Sequence, residues 1–396
     1  MIPRRRASFN QSWKPEQYEG LLARLAERAG APPQFPVAET PCFFTRAFVD
    51  RLAGIGRDLV AQLRSSQAAV DAAEAVVPER FRGRDDGPHP TFVQVDFGLV
   101  KGEDGRIEPK LVELQAFASL YGMQAAIGDA YRDAFAISPA LGQYLGGLDR
   151  ASYDALVGQA ILGGHDPAEV VLMEIDPRRQ KTWPDFAITE ASWGVRPLDT
   201  SEVEREGRQL FYRRDGTRTR IRRIYNRVIP DELERKGVAL PFDYRDDLDV
   251  EWAGHPSWYF RISKFSIPFL NHPSVPRTWF LHELDRWPEP REGYLLKPLF
   301  SFAGGGIVFS PTREALDAIP VERRSEYILQ ERLTFAPVID TPHGGTQVEI
   351  RIMYVWTDRL RPVVPLLRMG RGAMMGVDHN KGLRWVGASA AFIEEG

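Results

Sequence analysis

Residues 91–114, TFVQVDFGLVKGEDGRIEPKLVEL, read as two strands joined at Asp104-Gly105. Asp-Gly between such runs is a strong hairpin signal, because a type I′ turn needs φ > 0 at both central positions. A turn centred there sets Glu103 against Arg106. Carried outward, the same pairing sets Asp96 against Glu113 and Gln94 against Gln115. Side chains alternate along a strand, so these groups share one face. Facing carboxylates repel by about 0.2–1 kcal/mol when exposed, and by more when buried. A divalent cation between them removes that repulsion, since hard cations take carboxylate and amide oxygens. The register therefore predicts a metal site at Asp96, Glu113 and Gln115. The plain alternative is a solvated hairpin face, and a loop one residue longer would shift the pairing.

At 396 residues the chain is long enough for two or three domains with a large core. A formal charge of −3 gives no global attraction to nucleic acid or anionic membrane. The single cysteine, Cys42, excludes an internal disulfide framework and reads as a packed or surface thiol. MIPRRR is not followed by the apolar core of a signal peptide, and no stretch has about 20 apolar residues, so a soluble cytoplasmic protein is expected.

Four regions follow from the patterning. Residues 1–90 form an N-terminal helical segment, with helices near Glu16–Arg28, Thr45–Leu63 and Ser66–Val77. Residues 91–150 hold the hairpin and a helix. Over 165–250, the apolar run VVLMEI, a helix candidate at Trp183–Glu190 and further short strands alternate as in a small α/β domain. Within it, seven arginines between Arg213 and Arg227 lie on a hairpin around Asp215-Gly216. They read as a solvated charged ribbon rather than a nucleic-acid surface. Residues 256–396 are α+β.

The segment YLLKPLFSFAGGGIVFS places Lys297 at a strand end and Gly304, Gly305 and Gly306 in a loop returning to a strand. Glycines let backbone N–H groups approach anionic oxygens closely, and a lysine adds a point charge. No Gly-Lys-Ser/Thr follows, so this is not a Walker A loop. Read alone, the glycines also fit a tight hairpin, and Lys264 and Lys297 also fit surface lysines. Around them stand a helix start at Lys264, the polar run Gln330, Glu331, Arg332 and Leu333 after a strand, and Glu349, Arg351 and Arg368 on later strands.

This order of elements resembles the ATP-grasp fold. The Asp96 and Glu113-Leu114-Gln115 strands stand near the N-terminus instead of at the end. The whole therefore looks like the circularly permuted ATP-grasp ligases, the eukaryotic-type glutathione synthetases and glutathionylspermidine synthetases. The resemblance covers about 91–123 and 221–396. It implies an α+β fold in which the small α/β unit is a pre-ATP-grasp domain. It also implies ATP and Mg²⁺ as cofactors, small carboxylate and amine substrates, and amide-bond formation through an acyl-phosphate. No nucleic-acid or membrane partner is implied, and a homodimer is one compatible assembly.

By the same resemblance, Lys264 and Lys297 contact ATP, the loop Phe302–Gly306 closes over its phosphates, and residues 330–333 seat the adenine. Glu349 holds the ribose, Asp96, Glu113 and Gln115 bind Mg²⁺, and Arg368 steadies the transferring group beside Lys297. Arg227 ends a strand near the nucleotide. Apart from the resemblance, Asn380 and Lys381 near the C-terminus are candidates for the substrate cleft. The chain departs from the pattern at Gln115, where the family has Asn, at Gln94, where it has Arg, and at Ser301, where an acidic ligand is common. A nucleotide-binding regulatory or scaffold protein of the same fold is the alternative reading.

Overall fold

The computed structural model describes residues 1–301, 304–380 and 382–395, apart from the side chains of Val377 and Asp378. The hairpin forms from strands Phe92–Lys101 and Ile107–Gln115. Its turn differs from the expected one. Of the central pair only Gly105 has positive φ, +79°, and the Gly105 N–H donates to Gly102 O at 2.9 Å. Near the turn, Lys101 faces Ile107 and Phe97 faces Leu111, one residue off the expected register. A bulge at Val112 takes up the difference, so Asp96 faces Glu113 and Gln94 faces Gln115. The second Asp-Gly pair does make the mirror-image turn, with Asp215 at φ +50° and Gly216 at +83°.

The hairpin is one edge of the largest sheet. Its strands run Cys42–Thr45, Gly387–Glu394, Leu360–Gly370, Gly344–Trp356, Phe92–Lys101 and Ile107–Gln115 across the sheet, with Ile339–Thr341 also paired to Gly344–Trp356. N-terminal and C-terminal segments thus share one hydrogen-bonded layer. Alternation sorts its side chains. Val95, Phe97, Ile350, Ile352, Tyr354, Leu367 and Met369 join the core beneath helix Arg46–Ser65. That helix comes close enough for the Tyr354 hydroxyl to donate to Ala53 O at 2.9 Å, and a Cβ on Gly56 would lie 2.1 Å from the Tyr354 hydroxyl oxygen. Met353, Val364 and Leu366 face the other way, into a core shared with helices Tyr121–Ala134 and Arg150–Leu162.

Two smaller sheets flank this layer. A parallel one, ordered Glu251–Ala253, Arg223–Asn226, Val170–Glu174, Arg196–Asp199, carries the βα rhythm read from 165–250 and extends to Ala253. An antiparallel one, Thr278–Phe280, Tyr327–Glu331, Tyr294–Pro298 and Val308–Phe309, carries Lys297. The arginine-rich ribbon is neutralised from within the chain. Arg213 and Arg218 pair with Glu204, Arg220 with Asp249, Arg222 with Glu169, and Arg223 with Glu251. The N-terminal segment holds helices Pro3–Ser12, Pro15–Ala29, Arg46–Ser65 and Gln67–Val76, and also the edge strand Cys42–Thr45, which the helical reading missed. Cys42 is fully buried. Among the described residues no helix is long and apolar enough to cross a membrane.

One buried ion pair fixes the helix that roofs the sheet. Arg227 Nη1 donates to Asp185 Oδ2 at 2.5 Å, with both side chains at 2% exposure or less. Asp185 also accepts from the backbone N–H groups of Leu120 and Met123, at 3.1 and 2.9 Å, and so caps helix Tyr121–Ala134 from another element. Arg227, expected beside the nucleotide, serves this joint instead. Removing one partner of a buried pair leaves an uncompensated charge. Asp185→Ala is therefore expected to destabilise the fold by about 3–5 kcal/mol in urea unfolding. A loss below about 1 kcal/mol, the scale of an exposed pair, would show that the joint carries no such weight.

Candidate active site

A cleft of about 450 Å³ opens between the central sheet, the Lys297 sheet and helix Tyr121–Ala134. Its floor follows from strand register. Asp96 lies opposite Arg351, which lies opposite Leu366; in the next row Gly98 lies opposite Glu349, which lies opposite Arg368. Gly98 is needed there, because a Cβ would stand 2.2 Å from the Phe335 ring that covers it.

Asp96, 2% exposed, is the centre of this floor. Arg351 donates to both its oxygens, Nε to Oδ1 at 2.6 Å and Nη2 to Oδ2 at 2.7 Å. Arg368 Nη2 donates to Asp96 Oδ2 and also pairs with Glu349. Burial works to raise the Asp96 pKa, but the two guanidinium groups outweigh it and hold it below the ordinary value. Glu349 goes the other way, because burial and the nearby Asp96 outweigh Arg368 and Arg351. The positive charge that faces the hairpin carboxylate thus comes from the protein's own later strands. Gln94 completes the layer, accepting from Arg351 Nη1 at 2.8 Å and donating to Ser119 O at 2.8 Å, and the Gln115 amide oxygen accepts from Arg351 Nη1 and Nη2 at 3.1 and 3.0 Å.

The opposite wall carries two buried lysines. Lys264 Nζ donates to Ser301 O at 2.7 Å and lies 3.5 Å from Glu113. Lys297 Nζ donates to Gln330 Oε1 at 2.6 Å and to Val112 O at 3.3 Å. Burial, with help from Lys264 and against the pull of Glu113 and Glu349, brings the Lys297 pKa from 10.5 down to about 8. Five cationic side chains, including the exposed Lys181, border the cleft against the carboxylates of Asp96, Glu113 and Glu349. The excess positive charge suits an anionic ligand.

Among the described residues, four cleft-lining side chains hold a buried polar atom without a hydrogen-bond partner: Arg368 Nε, Ser301 Oγ, Gln124 Oε1 and the Tyr259 hydroxyl. A bound ligand or water can satisfy such atoms. Gly304, at φ +74°, lines the cleft and packs against Met374, where a Cβ would lie 2.4 Å from Cε. These features fit a phosphate-bearing ligand. Fit to a divalent cation rests chiefly on Glu113, whose side chain keeps 30% exposure and has only a loose contact to Lys264, and on the Gln115 amide beside it. Among the described residues, no three His, Cys, Asp or Glu side chains cluster as a metal site on their own.

The structure brings Asp96, Glu113, Gln115, Lys264, Lys297, Gly304, Gln330, Leu333, Glu349 and Arg368 to one cleft. Others lie elsewhere. Glu331 pairs with Arg277, Arg332 stacks over Phe309, and Gly305 and Gly306 are exposed. Asn380 is buried and clamps its own loop, accepting from the N–H groups of Arg371 and Gly372. Phe302 and Lys381 lie outside the described residues. Sequence reasoning missed Arg351 as the partner of Asp96, although its place two residues after Glu349 already set both on one face. It also missed Gln124 and Asp185, whose roles depend on how helices pack on the sheet.

No family model matches the chain, and no curated protein sequence does. Among solved structures, the apo form of a glutathione synthetase-like effector from Globodera pallida matches with a TM-score of 0.60 and 12% identity, covering 96% of each chain. At that identity the likeness concerns the fold, which is glutathione synthetase-like.

Two pH effects follow from Lys297. Between about pH 8 and 10.5 the unfolded chain holds a proton that the folded protein has released, so this group's contribution to stability rises with pH across that window. Anion binding at the cleft moves oppositely, weakening as pH climbs through about 8. Tripolyphosphate titrations from pH 6.5 to 9.5 should show this loss in the wild type and not in Lys297→Met. A wild-type affinity that does not change with pH would contradict it.

Proposed function

We propose that the protein is an ATP- and Mg²⁺-dependent carboxylate–amine ligase. One observation carries the reading: two buried ammonium groups and an incompletely partnered arginine converge on a cleft built from both ends of the chain. A cavity lined this way is costly to keep unless it serves a polyanion. The glutathione synthetase-like fold supports the same reading.

In this proposal Lys264 and Lys297 bind the polyphosphate, the turn at Gly304 approaches it with backbone, and Gln330 and Leu333 border the base. Glu349 sits toward the ribose. Glu113 and Gln115 would hold Mg²⁺, which would supply positive charge at the transferring phosphoryl group, and Asp96 would join them on giving up Arg368. The substrate carboxylate, oriented by Arg368, displaces ADP from the γ-phosphorus to give an acyl-phosphate. The amine then attacks the acyl carbon, a proton leaves the nitrogen, and inorganic phosphate departs as the amide forms. Lys297 and Arg368 contribute by countering charge where it develops.

A second reading, nucleotide binding without ligation, draws support from Asp96 itself, because a carboxylate already shared by two guanidinium groups is a poor metal ligand. ADP release decides between them. Given ATP, Mg²⁺ and pools of amino acids, peptides and polyamines, the wild type is expected to release ADP only with both an acid and an amine present. Lys297→Ala and Arg368→Ala should each lose about 10²–10³-fold in turnover. Glu113→Ala should abolish Mg²⁺-dependent turnover with the fold intact by circular dichroism. Nucleotide binding with no turnover under any combination would favour the second reading.

A further inference from the structure

The floor of the cleft changes character along one strand. Arg368 and Leu366 alternate onto the same face of Leu360–Gly370, about 6–7 Å apart at the rise of a strand. On the Arg368 side lie the charged rows. On the Leu366 side the wall is apolar and belongs to helix Tyr121–Ala134, with Met123 and Ile127 buried in the core cluster behind it and Phe35 packed against that cluster.

Two further observations bear on this apolar end. Gln124, 1% exposed, spends both amide hydrogens on Pro365 O and Ser389 O, at 3.1 and 3.2 Å. These two bonds fix which end of the amide is oxygen, and that oxygen, on a cleft-lining residue, has no partner among the described residues. Leu120, also on the wall, sits in the left-handed region at φ +66°, ψ +23°, which costs a non-glycine residue about 1–2 kcal/mol. Asp185 holds it there through the Leu120 N–H. Strain held in place beside a cavity is a feature of ligand sites.

We infer that the acid substrate of the proposed ligase is a small α-amino acid, free or at the end of a short peptide, with an apolar side chain. This rests on the ligase reading for the chemistry, but the chamber stands on geometry alone. The carboxylate meets Arg368, whose Nε lacks a partner. The α-nitrogen donates to Gln124 Oε1. The side chain extends between Leu366, Met123 and Ile127. A second carboxylate in that position would be buried without a partner, which disfavours acidic side chains.

The test is calorimetric titration of the wild type, with Mg²⁺ and a non-hydrolysable ATP analogue, using L-norleucine, L-glutamate and glycine as probes. Norleucine is expected to bind at least about ten-fold more tightly than either of the others. Gln124→Met removes the acceptor at similar volume and should weaken norleucine about ten-fold. Because it also leaves two carbonyls unpaired, Phe35→Ala serves as a second variant, expected to weaken norleucine several-fold while its circular dichroism spectrum matches the wild type's. Glutamate or glycine binding as well as norleucine, or norleucine not binding at all, overturns the inference. Norleucine binding without acid- and amine-dependent ADP release defeats the ligase reading and leaves the chamber standing. ADP release that prefers glutamate does the reverse.

Discussion

Asp96 is the point at which three strands from opposite ends of the chain are tied together. Its two oxygens take Arg351 from the adjacent strand and Arg368 from the next one over. A carboxylate at 2% exposure is tolerable only with such partners, and each arginine is in turn neutralised by it. The ion cluster therefore fixes the lateral order of the sheet as well as its register. A slip of one residue would turn Asp96 into the apolar core beneath helix Arg46–Ser65 and expose Val95 or Phe97 to the cleft. The same constraint places Glu349 and Arg368 side by side and points them at the lysines on the opposite wall.

Much of the cleft was legible in the sequence because strands encode faces. Alternation alone put Gln94 with Asp96 and Gln115 with Glu113, and it put Glu349 with Arg351. The facing of Asp96 and Glu113 came out right through two departures that cancel. The turn at Asp104-Gly105 is not type I′, and the bulge at Val112, seven residues after Gly105, restores the pairing. Asp-Gly specifies a left-handed glycine more firmly than it specifies a register, and nothing in KLVEL announces a bulge. What partnered the carboxylate was also hidden. Repulsion between Asp96 and Glu113 demanded positive charge, but local spacing did not say that Arg351, 255 positions later, would supply it.

The parts that were not legible depend on packing between elements. Asp185 reads as an ordinary first-turn acid of its own helix, yet it caps a different helix and neutralises Arg227. Gln124 reads as a helix-surface amide until the helix is laid across two strands. Glu331 and Arg332 looked like part of an adenine seat because the strand ends there, but Glu331 alternates away from Gln330 to pair with Arg277, and past the strand end Arg332 stacks over Phe309, while Gln330 and Leu333 border the cleft. The short strand Cys42–Thr45 lacked any alternating signal and is held by its neighbour Gly387–Glu394. Long strands with polar faces declared themselves; joints between helices and sheets did not.

In the proposed function the hairpin and the C-terminal strands grip one magnesium nucleotide between them. A crystal structure with Mg²⁺ and a non-hydrolysable ATP analogue tests it most directly. Density for the phosphates is expected within hydrogen-bond reach of Lys264 Nζ, Lys297 Nζ and Arg368, with Glu113 turned toward the cation. An analogue bound away from these four side chains, or a cleft left empty at saturating analogue, would contradict it.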